Sequence, residues 1–273
     1  MTMKPVRSLP GHAHRGGGQA EITRSLPEET PVAITFDGST QAVMMATPSD
    51  IEDFAIGFAL SEGILQGPED IASFELAEHG TGIEARFWLS ADRSAEVKAR
   101  RRAMLGPVGC GLCGIDSLEQ ALRPLPVLPD PDWRLTAAEA GRATEELRHH
   151  QPLHDQTRAV HAAGFLEPGK GITCAREDVG RHNALDKLIG ALVRRGTDPA
   201  DGAIVLTSRV SVEMVQKTVI AGSPVLIAVS APTATALRLA RGAGLTVAAF
   251  ARGDGFDLYS RPDRIQPEDP NVA

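Results

Sequence analysis

Cysteine is scarce in this chain. Its three residues, Cys110, Cys113 and Cys174, are too few and odd in number for a disulfide framework, and they point to a reducing, cytoplasmic setting. Long apolar runs are missing as well. The longest, such as residues 225–229, fall far short of a bilayer span, which argues against a membrane protein. Segment 1–19 has no apolar stretch and is broken by Pro5, Pro10 and three consecutive glycines, so it reads as neither signal peptide nor anchor. Basic charge is not in excess. The formal net charge is -7 and the pI is near 5.6, against the footprint that general nucleic-acid binding needs; a local basic pocket for a small anion stays open. No G-x-x-x-x-G-K-[ST] run occurs, so a P-loop nucleotidase is unsupported. The zinc deaminase pattern is missing too: His161 is followed by Ala162 and Ala163 instead of reaching a glutamate, and the cysteine pair precedes it without a leading proline.

The 273 residues present are those of an ordinary globular protein, long enough to bury a sizeable core. Two of the three cysteines fall in one run, Gly109-Cys110-Gly111-Leu112-Cys113-Gly114. Its glycines leave the backbone sterically open. Just downstream, Ser117 and Gln120 fit a capping box, so a helix is expected to start there. The partial positive charge at its N-terminus would favour a thiolate, with Asp116 opposing. A thiolate of this kind can hold a sulfur atom as a persulfide. A structural zinc site is a competing reading, but there is no second CxxC and histidines would have to complete it. A thioredoxin-like redox pair is another, and spacing alone does not separate it from sulfur transfer.

Along the chain, residues 1–20 read as a disordered tail. Residues 21–105 read as a small α+β domain: strands over 32–36 and 40–45 joined by the Asp37-Gly38 turn, a helix whose apolar face carries Ile51, Phe54, Ala55, Phe58 and Ala59, a strand over 83–89 and a helix over 91–104. Residues 106–131 hold the cysteine loop and a linker in which Pro124, Pro126, Pro129 and Pro131 crowd together. Residues 132–262 read as an α/β domain. Its helix from Thr136 to about 150 is followed by short apolar strands at 203–206, 225–229 and 245–250, alternating with helices at 212–221 and 232–242; the alternation implies a parallel sheet covered on both faces. Residues 263–273 read as a loose tail.

Two further segments carry chemistry. In Glu177-Asp178-Val179-Gly180-Arg181-His182-Asn183-Ala184-Leu185-Asp186-Lys187, a loop runs into an amphipathic helix. Asp178 is placed to cap that helix, His182 and Asp186 share a face at i, i+4 where the carboxylate orients the imidazole, and Arg181 and Lys187 are candidate phosphate ligands. The bland alternative is a well-capped helix with ordinary surface charges. The other segment is the set of strand-end loops: 207–211, 230–233 and 250–255. In open parallel sheets ligands bind at that edge, and Arg209, Lys217 and Arg252 there suggest an anionic, nucleotide-like ligand. Cys174 sits in an expected strand as a packing residue, and His154, Thr157 and His161 are placed to face the same cleft.

Taken together, these residues resemble the formate dehydrogenase accessory sulfurtransferase family (FdhD). The resemblance rests on the 109–114 and 177–187 motifs, on Arg209 with the run from Ser211 to Lys217, and on Ser230-Ala231-Pro232-Thr233. It covers roughly residues 20 to 265 in consistent order. It implies a larger domain similar to cytidine deaminase without its zinc site, beside a small N-terminal domain, in a homodimer. It implies that a cysteine desulfurase supplies sulfur as a persulfide to Cys110, with Cys113 assisting. The sulfur then passes to the molybdenum (or tungsten) bis(molybdopterin guanine dinucleotide) cofactor, bound as substrate, before that cofactor enters the formate dehydrogenase apoenzyme. The guanine-nucleotide-like ligand maps to Phe250, Ala251, Arg252, Gly253, Asp254 and Gly255, with Arg209, Ser230, His182 and Lys217 as further contacts, and no tightly held metal is expected. The alternative is a chaperone that binds the cofactor without moving sulfur. Two departures stand out: Arg158 and Ala159 follow Thr157 where the family usually has glycines, and Ser208 stands where it usually has glycine, which narrows any backbone approach to a ligand.

Overall fold

The computed structural model describes residues 3–104, 124–253 and 255–267. Cys110, Cys113, the helix expected from Ser117 and Asp254 lie outside the described residues.

The chain opens with β1 (Val6–Arg15) and β2 (Gly18–Pro27), an antiparallel hairpin in which Arg15 pairs with Gly18. This corrects the expected disordered tail over 1–20. Gly16 and Gly17 have φ of 58° and 81°, the left-handed pair that a two-residue hairpin turn demands. The glycines that read as breaks are the turn itself.

A four-stranded sheet follows, ordered β4-β3-β6-β5. Strands β3 (Thr30–Phe36) and β4 (Ser39–Ala46) meet at Asp37-Gly38, both at positive φ, as the sequence indicates. Helix α1 (Ile51–Ser61) lays Phe54, Ala55 and Ala59 on Val32, Ile34, Ala85 and Phe87. Strands β5 (Ile71–His79) and β6 (Gly82–Leu89) complete the sheet, and α2 (Ala91–Met104) follows. Asp50 occupies the position before α1 at φ 52° and makes no side-chain cap.

The second half begins with β7 (Leu135–Thr136), α3 (Ala137–Arg148) and α4 (Pro152–Thr157). Thr136 and Glu139 close a reciprocal capping box at the start of α3. Strands β8 (His161–Glu167) and β9 (Gly171–Asp178) lead into α5 (Arg181–Arg194). Then β10 (Ala203–Leu206), α6 (Val212–Ala221), β11 (Val225–Ala228), α7 (Ala234–Gly242) and β12 (Thr246–Arg252) alternate, and β13 (Gly255–Ser260) follows. Their six-stranded sheet has the order β13-β12-β11-β10-β8-β9. Its centre, β10 to β12, is parallel. β8, β9 and β13 run antiparallel to their neighbours, so the sheet is mixed, not wholly parallel. The connections explain this: β8–β9 and β12–β13 are joined by turns too short for a crossover helix. Helices α5, α6 and α7 cover one face and α3 covers the other, each over its own apolar cluster.

The expected loose tail from residue 263 is anchored as far as it is described. β14 (Ile265–Gln266) pairs with β7, and the fully buried Arg264 donates to the carbonyls of Pro224 (2.8 Å) and Gly244 (2.6 Å) and pairs with Asp130 (2.9 Å).

The two halves meet where α1 crosses α5 at Gly57 and Gly190. A Cβ on either glycine would collide with a carbonyl oxygen of the other helix, and would stand 2.8–2.9 Å from the other glycine's nitrogen. Only glycine permits backbones to approach this closely. None of the described helices is long and apolar enough to cross a membrane.

Candidate functional site

The carboxyl ends of β10, β11 and β12 open onto a cleft of ≈ 530 Å³. Thr207, Val229 and Arg252 reach it from those strand ends. His161 arrives at the same edge because β8 runs antiparallel to β10, and the Thr207 hydroxyl accepts from the Ala162 N–H there (2.8 Å). Thr144, Glu145 and Arg148 of α3 close one side. Gln151, His154 and Val160, from α4 and its flanks, close the other, and β2 of the hairpin lies against α4. A cleft of this size, with an apolar floor and a few polar groups, is a small-molecule site.

Glu177 fixes the α4 wall. Its carboxylate accepts from the N–H groups of Leu153 (2.8 Å) and His154 (2.8 Å), satisfying two donors at the helix start. Burial pushes its pKa up against those two bonds. The His154 Nδ1 stands 3.3 Å from the Val160 carbonyl. Burial first, then Arg181, lowers the pKa of His161. Both histidines expected at the cleft line it. Thr157 does not take part; its buried hydroxyl donates back to the Leu153 carbonyl (2.8 Å).

The segment expected to hold a nucleotide borders this cleft. Phe250 is 45% exposed at φ 56°, and its N–H reaches the Ser230 carbonyl at 3.4 Å, so the ends of β11 and β12 are tied together. The carbonyl of the buried Ala251 accepts from Thr144 (2.7 Å). Gly253, at φ 61°, donates its N–H to Glu145 (3.1 Å), and Gly255 starts β13. Arg209 is exposed in the loop after β10. Its neighbour Ser208 is buried, and the Ser208 hydroxyl donates to the Arg209 carbonyl (3.1 Å).

The 177–187 motif does something else. Asp178 and Lys187, both with 0% side-chain exposure, form an ion pair at 2.7 Å. Lys187 also donates to the carbonyls of Thr47 (3.0 Å) and Glu177 (3.2 Å), and Asp178 accepts from the Thr47 N–H (2.9 Å). Asn183 donates to the Met45 carbonyl (2.8 Å) and to Asp178 (2.9 Å). Asp186 accepts from Lys217 (2.9 and 3.0 Å) and from Ser61 (2.7 Å). Arg176 and Arg194 both hold Asp53, at 2.7 and 2.6 Å. These groups form an ionic seam that locks the four-stranded half to the six-stranded half. Burial lowers the pKa of Lys187 despite Asp178. In Lys217 the desolvation is outweighed by Asp186 and Glu62, which hold its pKa up.

Several sequence expectations are therefore corrected. Asp178 is not the cap of α5; Gly180 is, with no side-chain bond. Asp186 does not orient His182, because Lys217 and Ser61 already take it; the His182 Nε2 faces Glu213 at 4.0 Å. Lys187 and Lys217 are buried in ion pairs and are not free for phosphate. Of this motif, Arg181 and His182 remain at the strand-end edge. Arg181 Nε and His182 Nε2 are buried with no hydrogen-bond partner among the described residues. Burial, reinforced by Arg181, lowers the His182 pKa to about 4, so its ring is neutral at pH 7.

Sequence reasoning missed Glu145, Arg148 and Gln151. The one available signal was Pro152, which marks a helix start just after Gln151. Among the described residues no group of three or more His, Cys, Asp or Glu is placed to hold a metal.

A family model described as the FdhD/NarQ family matches residues 27–266. Curated relatives called sulfur carrier protein FdhD include one from Agrobacterium fabrum, 49% identical over 253 residues and covering 93% of both chains. Another, from Brucella abortus biovar 1, is 51% identical over 253 residues, covering 93% of this chain and 94% of the relative. A solved crystal structure from Desulfotalea psychrophila, of a chain described as a "putative formate dehydrogenase accessory protein", superposes with a TM-score of 0.76 at 26% identity, over 95% of this chain and 99% of that one.

Proposed function

The chain belongs to the FdhD/NarQ family, and from that premise we propose that it is a cytoplasmic sulfurtransferase. It carries persulfide sulfur from a cysteine desulfurase to a molybdenum or tungsten bis(molybdopterin guanine dinucleotide) cofactor destined for formate dehydrogenase. The observation that supports this best is the cleft at the strand ends, bordered by the 250–253 turn and by Arg252, His154 and His161, in a chain that also carries a glycine-flanked CxxC. The cofactor is substrate here, and Arg252 and Arg209 are its phosphate contacts. The six-stranded half is the cytidine-deaminase-like domain, and the working form is a homodimer.

The sulfur steps balance within the cysteine pair. The Cys110 thiolate attacks the outer sulfur of the donor persulfide, a new S–S bond forms, and the old one breaks with its electron pair left on the donor thiolate. Release as hydrosulfide needs two electrons. Attack of the Cys113 thiol on the Cys110 sulfur supplies them and closes a Cys110–Cys113 disulfide, which a thiol reductant reopens. The test is activation of formate dehydrogenase in cells that lack the native chain. Cys110→Ala is expected to abolish it; full activation by a cysteine-free variant would establish the non-sulfur chaperone instead.

A further inference from the structure

Residues 124–131, Pro124-Leu125-Pro126-Val127-Leu128-Pro129-Asp130-Pro131, lie outside every helix and strand, and the function proposed above leaves them unused. Their shape is nevertheless dictated. Each proline locks its own φ at about −65° and drives the residue before it into extended backbone. That covers every position but Val127, and no positive φ occurs in the stretch. The conformation is polyproline II, a left-handed helix with about three residues per turn. Burial follows that period: Leu125, Leu128 and Pro131 turn inwards, while Pro124, Pro126, Val127, Pro129 and Asp130 are exposed.

The inner edge is fastened. Leu125 and Leu128 pack on the core of the six-stranded half, the Leu128 N–H donates to the Ala243 carbonyl (2.9 Å), and the Pro129 carbonyl accepts from Arg264 (3.3 Å). The outer edge is a rigid ridge of proline rings around Val127, which at 74% is the most exposed large hydrophobic among the described residues. At its end Asp130 is held by Arg261 and Arg264, but the exposed Asp132 makes no ion pair among the described residues.

Aromatic-lined grooves bind polyproline II ridges, because the segment arrives already ordered and its prolines pack on ring faces. We infer that residues 124–131 are the rail on which the sulfur donor docks, seated in an aromatic-lined groove of that donor with a cation at the Asp132 end. This rests on the sulfur-carrying part of the function proposed above. Position argues for the donor. In the sequence Cys113 precedes Pro124 by 11 residues, a stretch that spans about 40 Å at most, so a protein held on the ridge is within reach of the thiol pair. The ridge is tied to Ala243, which precedes β12, and so lies at the amino end of that strand. A donor docked there leaves the cleft at the carboxyl ends open to the cofactor.

Calorimetric titration of the full chain with a cysteine desulfurase tests this. Loading of the Cys110 peptide by inorganic polysulfide, read by mass spectrometry, is the donor-free control. Val127→Asp and Pro126→Ala/Pro129→Ala are each expected to weaken desulfurase binding about tenfold and to slow loading from it, with loading from polysulfide unchanged. Val127→Asp, at an open position, should also keep the melting temperature. Asp132→Lys should weaken binding most at low salt. In the complex the Val127 methyl resonances, assigned by their loss in Val127→Ala, should move upfield under the ring current of the groove. Desulfurase affinity that all three variants preserve, or Val127 methyls that do not move upfield, overturns the docking assignment and leaves sulfur carriage standing. So does a wild type that polysulfide loads but the desulfurase does not bind. Failure of polysulfide to load Cys110 as well overturns the sulfur-carrying reading along with the assignment.

Discussion

Lys187→Met removes a charge from the seam between the two halves while keeping most of the side chain's length. The side chains of Lys187 and Asp178 are both completely buried at 2.7 Å, so water has no route in to replace the lost ammonium. Asp178 would keep three N–H donors, from Thr47, Gly180 and Asn183. The carbonyls of Thr47 and Glu177 would each lose one. Removing one partner of a buried pair costs about 3–5 kcal/mol. At about 2–4 °C per kcal/mol for a chain of this size, the melting temperature should fall by roughly 6–20 °C. Differential scanning fluorimetry and urea unfolding at pH 7 read this directly. The double variant Asp178→Asn/Lys187→Met should recover part of the loss, because no uncompensated carboxylate remains. A single variant within about 2 °C of the parent, or a double variant less stable than the two single losses combined, would refute the reasoning.

Gly190→Ala should destabilise the chain by about 2 kcal/mol or more, because its Cβ meets the Asp53 carbonyl of α1 and backbone cannot yield as a side-chain tip does. Urea denaturation checks it, and an unchanged midpoint would mean that the helices do not cross at these glycines. His182 should stay neutral from pH 8 down to about 5 and titrate near 4, which proton NMR of its ring can follow. Its folded pKa lies below the ordinary 6.5, so the unfolded chain takes up the proton first. Stability should therefore fall as pH drops from 6.5 towards 4, and His182→Gln should flatten that slope; a ring that titrates near 6.5 contradicts the burial of its Nε2.

What could be read from the sequence was what neighbours along the chain decide. Asp37-Gly38 dictates its own turn, Thr136 and Glu139 cap their own helix, and residues 203–206 are apolar because both faces of their sheet are covered. Gly16-Gly17 was ambiguous for the same local reason: glycine both breaks structure and makes the tightest hairpin turns, and only pairing of the flanking strands decides which. Charge partners were not legible. Spacing puts His182 and Asp186 on one helical face, but the carboxylate is taken by Lys217, 31 residues away, and by Ser61, 125 residues away. The dense polar motif therefore marks a joint between halves as much as a ligand site. Gln151 was invisible because its place on the cleft wall depends on α4, whose start is held by Glu177 from another strand.

Sulfur carriage on one thiol is most directly tested by peptide mass spectrometry after incubating the protein with a cysteine desulfurase and free cysteine. The peptide bearing Cys110 should gain one sulfur atom. That gain should vanish on reduction and in Cys110→Ala, and persist in Cys174→Ala, whose thiol is buried in β9. Loading undiminished in Cys110→Ala would contradict it.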